Sequence, residues 1–202
     1  MIQHSRLQNY DINTVQKRKD FSYGFSRYFL LTALLSFIGW AYEVGVMAIQ
    51  TGKFHNQGFM TLPFCPIYGC SLILTYLLLG TPDKTQGILK NRRNRRAVYA
   101  LYLLCGFCIP TLAELIVGLL LSQVFHIRLW SYAHLPMNFH GYVSVPVSLL
   151  WSVLIFLFMK YLFLPLKHFI GKLPKGLAGA ITFFLSLIFL ADISLNAAFL
   201  LY

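Results

Sequence analysis

Long apolar runs constrain the fold of this 202-residue chain more than any other feature. Hydrophobic residues make up 57% of the sequence and charged residues only 11%. Runs of about 18 or more apolar residues are typical of transmembrane helices, because a helix satisfies its backbone polar groups within the segment. We therefore predict an all-α, polytopic membrane protein with about five transmembrane helices. They are expected near residues 26–50, 64–80, 98–125, 142–164 and 177–201.

The positive charges are distributed unevenly among the loops that these helices create. If the N-terminus is cytoplasmic, all but Lys53 and Arg128 of the 17 Lys and Arg residues fall on the cytoplasmic side. This asymmetry follows the positive-inside rule and predicts a cytoplasmic N-terminus, an external C-terminus and a location in the cell (inner or plasma) membrane. The net charge of +11 is thereby explained by topology and by contact of residues 90–96 with anionic membrane lipids, and not by nucleic acid.

The chain divides into a polar tail and one membrane domain. Residues 1–22 are expected to form a cytoplasmic tail, and residues 23–202 a single transmembrane helical domain. Within it, residues 26–80 and 98–164 form a faint parallel repeat: each has an intramembrane glutamate, an outer loop with Asn and Gly, then a proline and a helix. The final helix, 177–201, stands outside the repeat.

Three of the six acidic residues lie inside the apolar runs: Glu43, Glu114 and Asp192. A carboxylate at membrane depth costs about 2.5 kcal/mol or more, so such residues are expected to face the interior of the helix bundle. Their distances along the chain place them in one layer in the outer half of the bilayer. They are either interhelical hydrogen-bonding groups or a site for a substrate, an ion or a proton. Lys53 could pair with Glu43, and Arg128 with Glu114, across the outer ends of the helices.

The cysteines suggest no metal or redox chemistry. Cys105 and Cys108 have the spacing of a redox or metal-binding pair, but they lie in an apolar helix without nearby histidines and are better interpreted as core residues. No disulfide, metal site or cofactor is predicted.

Residues 36–69 contain three short motifs, and the second half contains related ones. In the first half they are Gly39-Trp40-x-x-Glu43, Asn56-x-Gly58-Phe59 and Pro63-x-Cys65-Pro66-Ile67-Tyr68-Gly69; in the second they are Glu114, Arg128-Leu129-Trp130-Ser131-Tyr132, Asn138, Gly141 and Trp151. In these motifs the chain resembles the bacterial membrane family of ABC-transporter type IV permeases over about residues 30–165. It departs from the family pattern at Leu62, where the family has glycine, at Ser122 and Ser131, where it has acids, and at Gln57 and Tyr142, where it has arginines. Two acids and two arginines are thus missing. A divergent member with a simplified outer ion-pair network is implied.

The resemblance implies a permease or transport-complex subunit for a small solute. The implied polar-core or substrate-binding residues are Glu43, Glu114, Asn56, Tyr68, Arg128, Trp130, Tyr132 and Asn138, and Asp192 is added from the apolar-run argument alone. The chain has no P-loop motif, so ATP hydrolysis would need a separate cytoplasmic ATPase subunit. Five helices are few for a complete path, so a homo-oligomer or a larger complex is expected.

Two other functions fit the same residues. An ion- or proton-coupled transporter or sensor would use the carboxylate layer without an ATPase. A membrane-embedded enzyme acting on lipid or envelope precursors would need acid–base groups at the outer face. No recognisable catalytic motif is found, so no enzyme is assigned.

Overall fold

The computed structural model describes the backbone of residues 2–54, 59–90 and 94–201, and the side chains of residues 23–199 apart from residue 50 and the two gaps. The protein is mostly helical. The helices are α1 (Ile2–Thr51), α2 (Pro66–Leu79), α3 (Arg95–Val124), α4 (Val145–Tyr161), α5 (Phe163–Gly171) and α6 (Lys175–Leu201). A 3-10 turn covers Gly87–Leu89, and two short strands, β1 (Asn138–Phe139) and β2 (Val143–Ser144), pair antiparallel.

Three helices in the described part of the chain are long and apolar enough to cross a membrane, and a bent pair gives a fourth. The three are Tyr23–Ile49 within α1, Arg95–Val124, and Lys175–Phe199 within α6. Helices α4 and α5 meet at a 48° bend, and together they are long and apolar enough to cross a membrane. The prediction of five spans needs correction at α2, which has 14 residues and a length of about 21 Å, short of the roughly 20 residues that a spanning helix needs.

Residues 2–22, expected as a polar cytoplasmic tail, continue the helix of the first span, so that α1 is 50 residues long. One further prediction differs from the structure in local detail. The segment between α4 and α6, expected as a loop over about 165–176, instead contains α5. A basic and apolar segment next to the bilayer can form an interfacial helix, and average hydropathy does not distinguish such a helix from a loop.

Local sequence signals explain where the membrane helices begin. Pro66 occupies the first turn of α2, where its missing N–H costs nothing. Helix α4 begins in the same way, after Ser144 and with a proline in its first turn. Helix α3 begins at an N-cap, Asn94, whose side chain accepts hydrogen bonds from the backbone N–H groups of Arg96 and Ala97.

The bundle has two chemically different ends. We call the basic end the one formed by residues 80–90, 94–99 and 160–175, and the opposite end the one formed by 51–54, 59–65 and 125–144. At the basic end, Tyr23 Oη donates to the backbone oxygen of Leu173 at 3.0 Å, and Lys167 donates to the hydroxyl of Tyr76. At the opposite end, the rings of Phe59 and Phe125 lie 6.0 Å apart.

The tightest packing lies toward the basic end, where α1 to α5 meet. Leu31, Leu79, Tyr102, Met159 and Phe163 are almost fully buried there. Helix α6 packs mainly on α1 and leaves most of its apolar side chains exposed. The cavity described next reaches Tyr161 and Leu162 at the basic end and extends along α4 to Trp151.

Candidate functional site

A cavity of about 500 Å³ lies between α1, α2, α3 and α4, within the size range of small-molecule sites. Its walls are almost entirely apolar, built by leucine, isoleucine and phenylalanine side chains. The polar or aromatic groups that reach it include Tyr42, Tyr68, Glu114 and Trp151. One predicted carboxylate therefore faces a cavity large enough for a ligand.

Glu43 receives a hydrogen bond that the surrounding motif explains. The hydroxyl of Tyr68 donates to Glu43 Oε1 at 2.8 Å. Gly39 is one helical turn before Glu43 on the same face of α1, and a Cβ at residue 39 would lie only 2.5 Å from Tyr68 Cγ. The absence of a side chain at Gly39 thus leaves space for the Tyr68 ring, and Glu43, one turn later, accepts a hydrogen bond from the Tyr68 hydroxyl.

The helix that carries Tyr68 is held in register on α1 by two further contacts. The backbone N–H of Cys65 donates a hydrogen bond to the backbone oxygen of Ser36 at 3.0 Å. A Cβ at Gly69 would lie 2.3 Å from the backbone oxygen of Thr32, so α1 and α2 approach each other through a residue without a side chain. Close approach over small residues is typical of membrane helix pairs. The Cys-Pro-Ile-Tyr-Gly motif therefore builds one side of the site.

Glu114 and Trp151 each contribute a buried polar atom to the cavity region. Glu114 Oε2 and Trp151 Nε1 are buried and have no hydrogen-bond partner of acceptable geometry, although the Tyr132 hydroxyl approaches the indole. Glu114 also interacts electrostatically with Glu43 and with Tyr132. The structure therefore brings together four of the predicted site residues, Glu43, Tyr68, Glu114 and Tyr132, and it adds Trp151.

Three aromatic rings pack against one another beside these carboxylates. The Trp151 ring lies 5.2 Å from that of Tyr68 and 5.5 Å from that of Tyr42, both in edge-on geometry. Trp151 and Tyr42 were not among the predicted site residues. An indole N–H in an apolar helix was a usable signal for Trp151, since such a group is normally placed where it can find a partner.

Other predicted site residues shape the connection between α3 and α4 instead. Arg128 lies over the Tyr142 ring, 4.8 Å from its centroid, and Trp130 Nε1 donates to the Tyr142 backbone oxygen at 2.9 Å. Asn138 accepts the backbone N–H of Gly141 at 3.1 Å, a turn-forming bond. Arg128, Trp130 and Asn138 thus hold the hairpin of β1 and β2 in place.

Asp192 is not among the residues that line the cavity. Its Oδ2 accepts the backbone N–H of Thr61 at 3.1 Å, and Asn196 shares a side-chain hydrogen bond with the same threonine at 3.2 Å. This acid therefore ties α6 to the segment between α1 and α2. Asn56 lies outside the described residues.

The expected ion pairs of the intramembrane acids are not formed. Within the described parts of the chain, the only ion pair joins Arg95 and Asp83, at 2.8 Å. The pairing of Lys53 with Glu43 and of Arg128 with Glu114 was therefore wrong, because Arg128 is held over the Tyr142 ring and Glu43 is satisfied by a neutral hydroxyl.

Ser122 stands where the family pattern has an acid, and Tyr142 stands where it has an arginine. In the structure these two side chains face each other. The hydroxyls of Ser122 and Tyr142 lie 2.7 Å apart, within hydrogen-bond distance. A neutral hydrogen bond thus joins α3 to the following hairpin at these positions.

Comparison with known proteins supports the same family. No curated protein and no solved structure matches the chain. The model of the family described as Putative ABC-transporter type IV matches residues 29–197, which include all the cavity residues. On this match, the chain belongs to the family described as Putative ABC-transporter type IV.

Proposed function

We propose that the protein is the membrane-embedded subunit of an ABC-type transport complex, and that its solute binds in the cavity between α1 and α4. The observation that carries the proposal is the cavity itself, about 500 Å³ in volume and reached by Glu114. An intramembrane carboxylate is costly, and one that faces a ligand-sized cavity is better explained by binding than by packing. The carboxylate layer then consists of Glu43 and Glu114, without Asp192.

The proposed topology places the basic end in the cytoplasm. Basic side chains gather there on several elements: Arg27, Lys84, Lys90, Arg95, Arg96, Lys160, Lys167, Lys172 and Lys175. This concentration supports a cytoplasmic N-terminus and an external C-terminus by the positive-inside rule. Helix α2 would supply the fifth crossing together with its flanks, which are residues 59–65 at the opposite end and residues 80–90 at the basic end.

An ATP-binding subunit would dock at the basic end. The chain has no P-loop of its own, and α5 lies against the middle of α1, where Arg27 donates to the backbone oxygen of Gly171. A subunit bound to α5 would therefore be mechanically connected to the helix that carries Glu43. The exposed apolar side of α6 would face lipid or a second copy of the chain.

A second candidate, ion- or proton-coupled transport without an ATPase, is favoured by one observation. Glu43 and Glu114 interact with each other, and neither has a cation partner within the described residues. Two carboxylates that share a site can exchange a proton with the solution as part of a transport cycle. This candidate uses the same cavity but needs no cytoplasmic partner.

Purification in mild detergent separates the two candidates. The tagged chain, expressed at native level in its own host, should retain a stoichiometric subunit that binds ATP, and solute uptake should depend on ATP. The variant Glu114→Gln should assemble normally and lose uptake, whereas Asp83→Asn, which removes a carboxylate at the basic end, should lose far less. Uptake by the chain alone, driven by a proton gradient and lost in Glu114→Gln, would overturn the ABC proposal in favour of the second candidate.

A further inference from the structure

The cavity forms an apolar groove that extends along α4. The α4 residues that line it include Trp151, Leu154, Ile155, Phe158 and Tyr161, which recur at spacings of one, three and four and so lie along one face of the helix. Trp151 and Tyr161 are ten residues apart, which corresponds to about 15 Å along the helix axis. An elongated hydrocarbon group fits this face better than a compact polar solute does.

One side of the groove is open. Tyr42, Leu157, Tyr161 and Leu162 line the cavity and are also exposed. Because Tyr42, Leu157 and Tyr161 lie on helices assigned to the membrane and Leu162 lies at the bend between α4 and α5, the opening would face the hydrocarbon of the bilayer. A ligand could therefore enter sideways from the lipid phase.

The end of the groove near Glu114 has a different chemistry. Glu114 Oε2 is buried and without a hydrogen-bond partner, Glu43 lies within electrostatic range, and none of the described lining residues is basic. The rings of Tyr42, Tyr68 and Trp151 surround the same region. Carboxylates beside aromatic faces are the chemistry that binds organic ammonium groups, through charge attraction and cation–π contact.

Other headgroups fit this end less well. An anionic headgroup would be repelled by either carboxylate in its ionised form. A neutral alcohol could donate one hydrogen bond to Glu114, but it would not compensate the negative charge that Glu114 carries when it is ionised. A positively charged headgroup compensates that charge and favours the ionised form of the acid.

We infer that the groove binds an amphiphilic organic cation, with its hydrocarbon chain along α4 and its ammonium head between Glu114 and the three aromatic rings. The inference rests on the proposed function, because it names the substrate class of the same cavity. Trp151 contributes its ring at the head, and the apolar α4 side chains determine how long a chain can be accommodated.

Direct binding to the full-length chain in nanodiscs of zwitterionic lipid tests the inference. The probes are radiolabelled decyltrimethylammonium, decanol and decyl sulfate, with empty nanodiscs as the background for partitioning into lipid. The ammonium probe should bind saturably, and the other two should show no binding above background. Saturable binding of decanol with equal affinity would overturn the inference, since the carboxylate would then contribute nothing.

Variants then locate the binding site. Glu114→Gln should weaken ammonium binding by about tenfold or more, and Trp151→Leu should weaken it several-fold. Trp151→Phe keeps an aromatic ring and should retain most of the affinity. This variant shows whether the loss in Trp151→Leu comes from the missing ring or from any replacement of the indole. Asp83→Asn is the charge-matched control and should bind as the unmodified chain does. Equal binding by the Glu114→Gln and Asp83→Asn proteins would overturn the inference.

The result can be separated from that of the transport experiment, because the binding assay contains no ATPase and no gradient. If the ammonium probe does not bind but a co-purified ATPase still drives uptake that depends on Glu114, the substrate class is wrong and the proposed function stands. If the probe binds as expected but no ATP-binding subunit accompanies the chain, the chemistry of the groove stands and the ABC assignment of mechanism fails.

Discussion

Replacing Gly39 with alanine tests the packing that brings Tyr68 to Glu43. The added methyl group would lie 2.5 Å from Tyr68 Cγ and 2.6 Å from Tyr68 Cβ, where ordinary van der Waals contact begins at 3.4 Å. The tyrosine must therefore move away from α1 by about 1 Å. Its Cβ is fixed to the backbone of α2, so rotation of the side chain cannot relieve the overlap.

The structure sets the expected magnitude and direction. Overpacking of this kind costs about 1–3 kcal/mol. The hydroxyl of Tyr68, now 2.8 Å from Glu43 Oε1, would be displaced by a similar amount, and this hydrogen bond would weaken or break. We expect Gly39→Ala to lower the free energy of unfolding, measured by titration with a denaturing detergent, and to lower the melting temperature.

Gly45 provides a matched control on the same helix. A Cβ there would meet nothing within 4 Å, and alanine is the better helix former by about 1 kcal/mol. Gly45→Ala should therefore leave stability unchanged or raise it. If the Gly39→Ala and Gly45→Ala proteins unfold at the same detergent concentration, the close approach of Tyr68 to residue 39 is refuted.

Three further substitutions test other contacts. Asp192→Ala should lower the free energy of unfolding by about 1 kcal/mol because Thr61 N–H loses its acceptor, whereas Asp192→Asn keeps an acceptor oxygen; equal losses in both would contradict that bond. Ser152→Ala, which removes a bond from α4 to the α3 backbone, should cost about 0.6 kcal/mol, and no loss in a detergent titration would argue against it. The hydrogen bond from Arg95 holds the pKa of Asp83 below its ordinary 3.8, so its small stabilisation should be complete above that pH and should disappear as the pH falls through the lower folded value. Melting of the unmodified and Asp83→Asn proteins at several pH values should show this convergence in acid, and a constant difference would contradict it.

The helices and much of the site could be predicted because they depend on strong local signals. Apolar runs predict spans, and the position of Glu43 and Glu114 within such runs predicts an interior location. In the structure both lie near Tyr68 and Tyr132. Tyr68 could be included because it lies in a specific motif, Cys65 to Gly69, whose glycine and proline are both used in the packing of α2.

The partners of Arg128, Asp192 and Trp151 could not be predicted, because they depend on tertiary contacts between residues that are distant in the sequence. Arg128 is close enough to Glu114 in the sequence for an ion pair, but its guanidinium group instead lies over the ring of Tyr142. Asp192 resembles the other two acids in its apolar context, and only the fold places Thr61 beside it. The aromatic partners of Trp151 come from α1 and α2, far away in sequence, so its place in the site could not be derived from α4 alone.

The most direct test of the site is whether Glu43 and Glu114 share it. A double-mutant cycle on the free energy of unfolding would use Glu43→Gln, Glu114→Gln and the combined variant. Because the two carboxylates interact, we predict that the effects differ from additivity by about 0.5 kcal/mol or more. Additive effects, within about 0.3 kcal/mol, would show that the two acids are independent and would contradict a shared site.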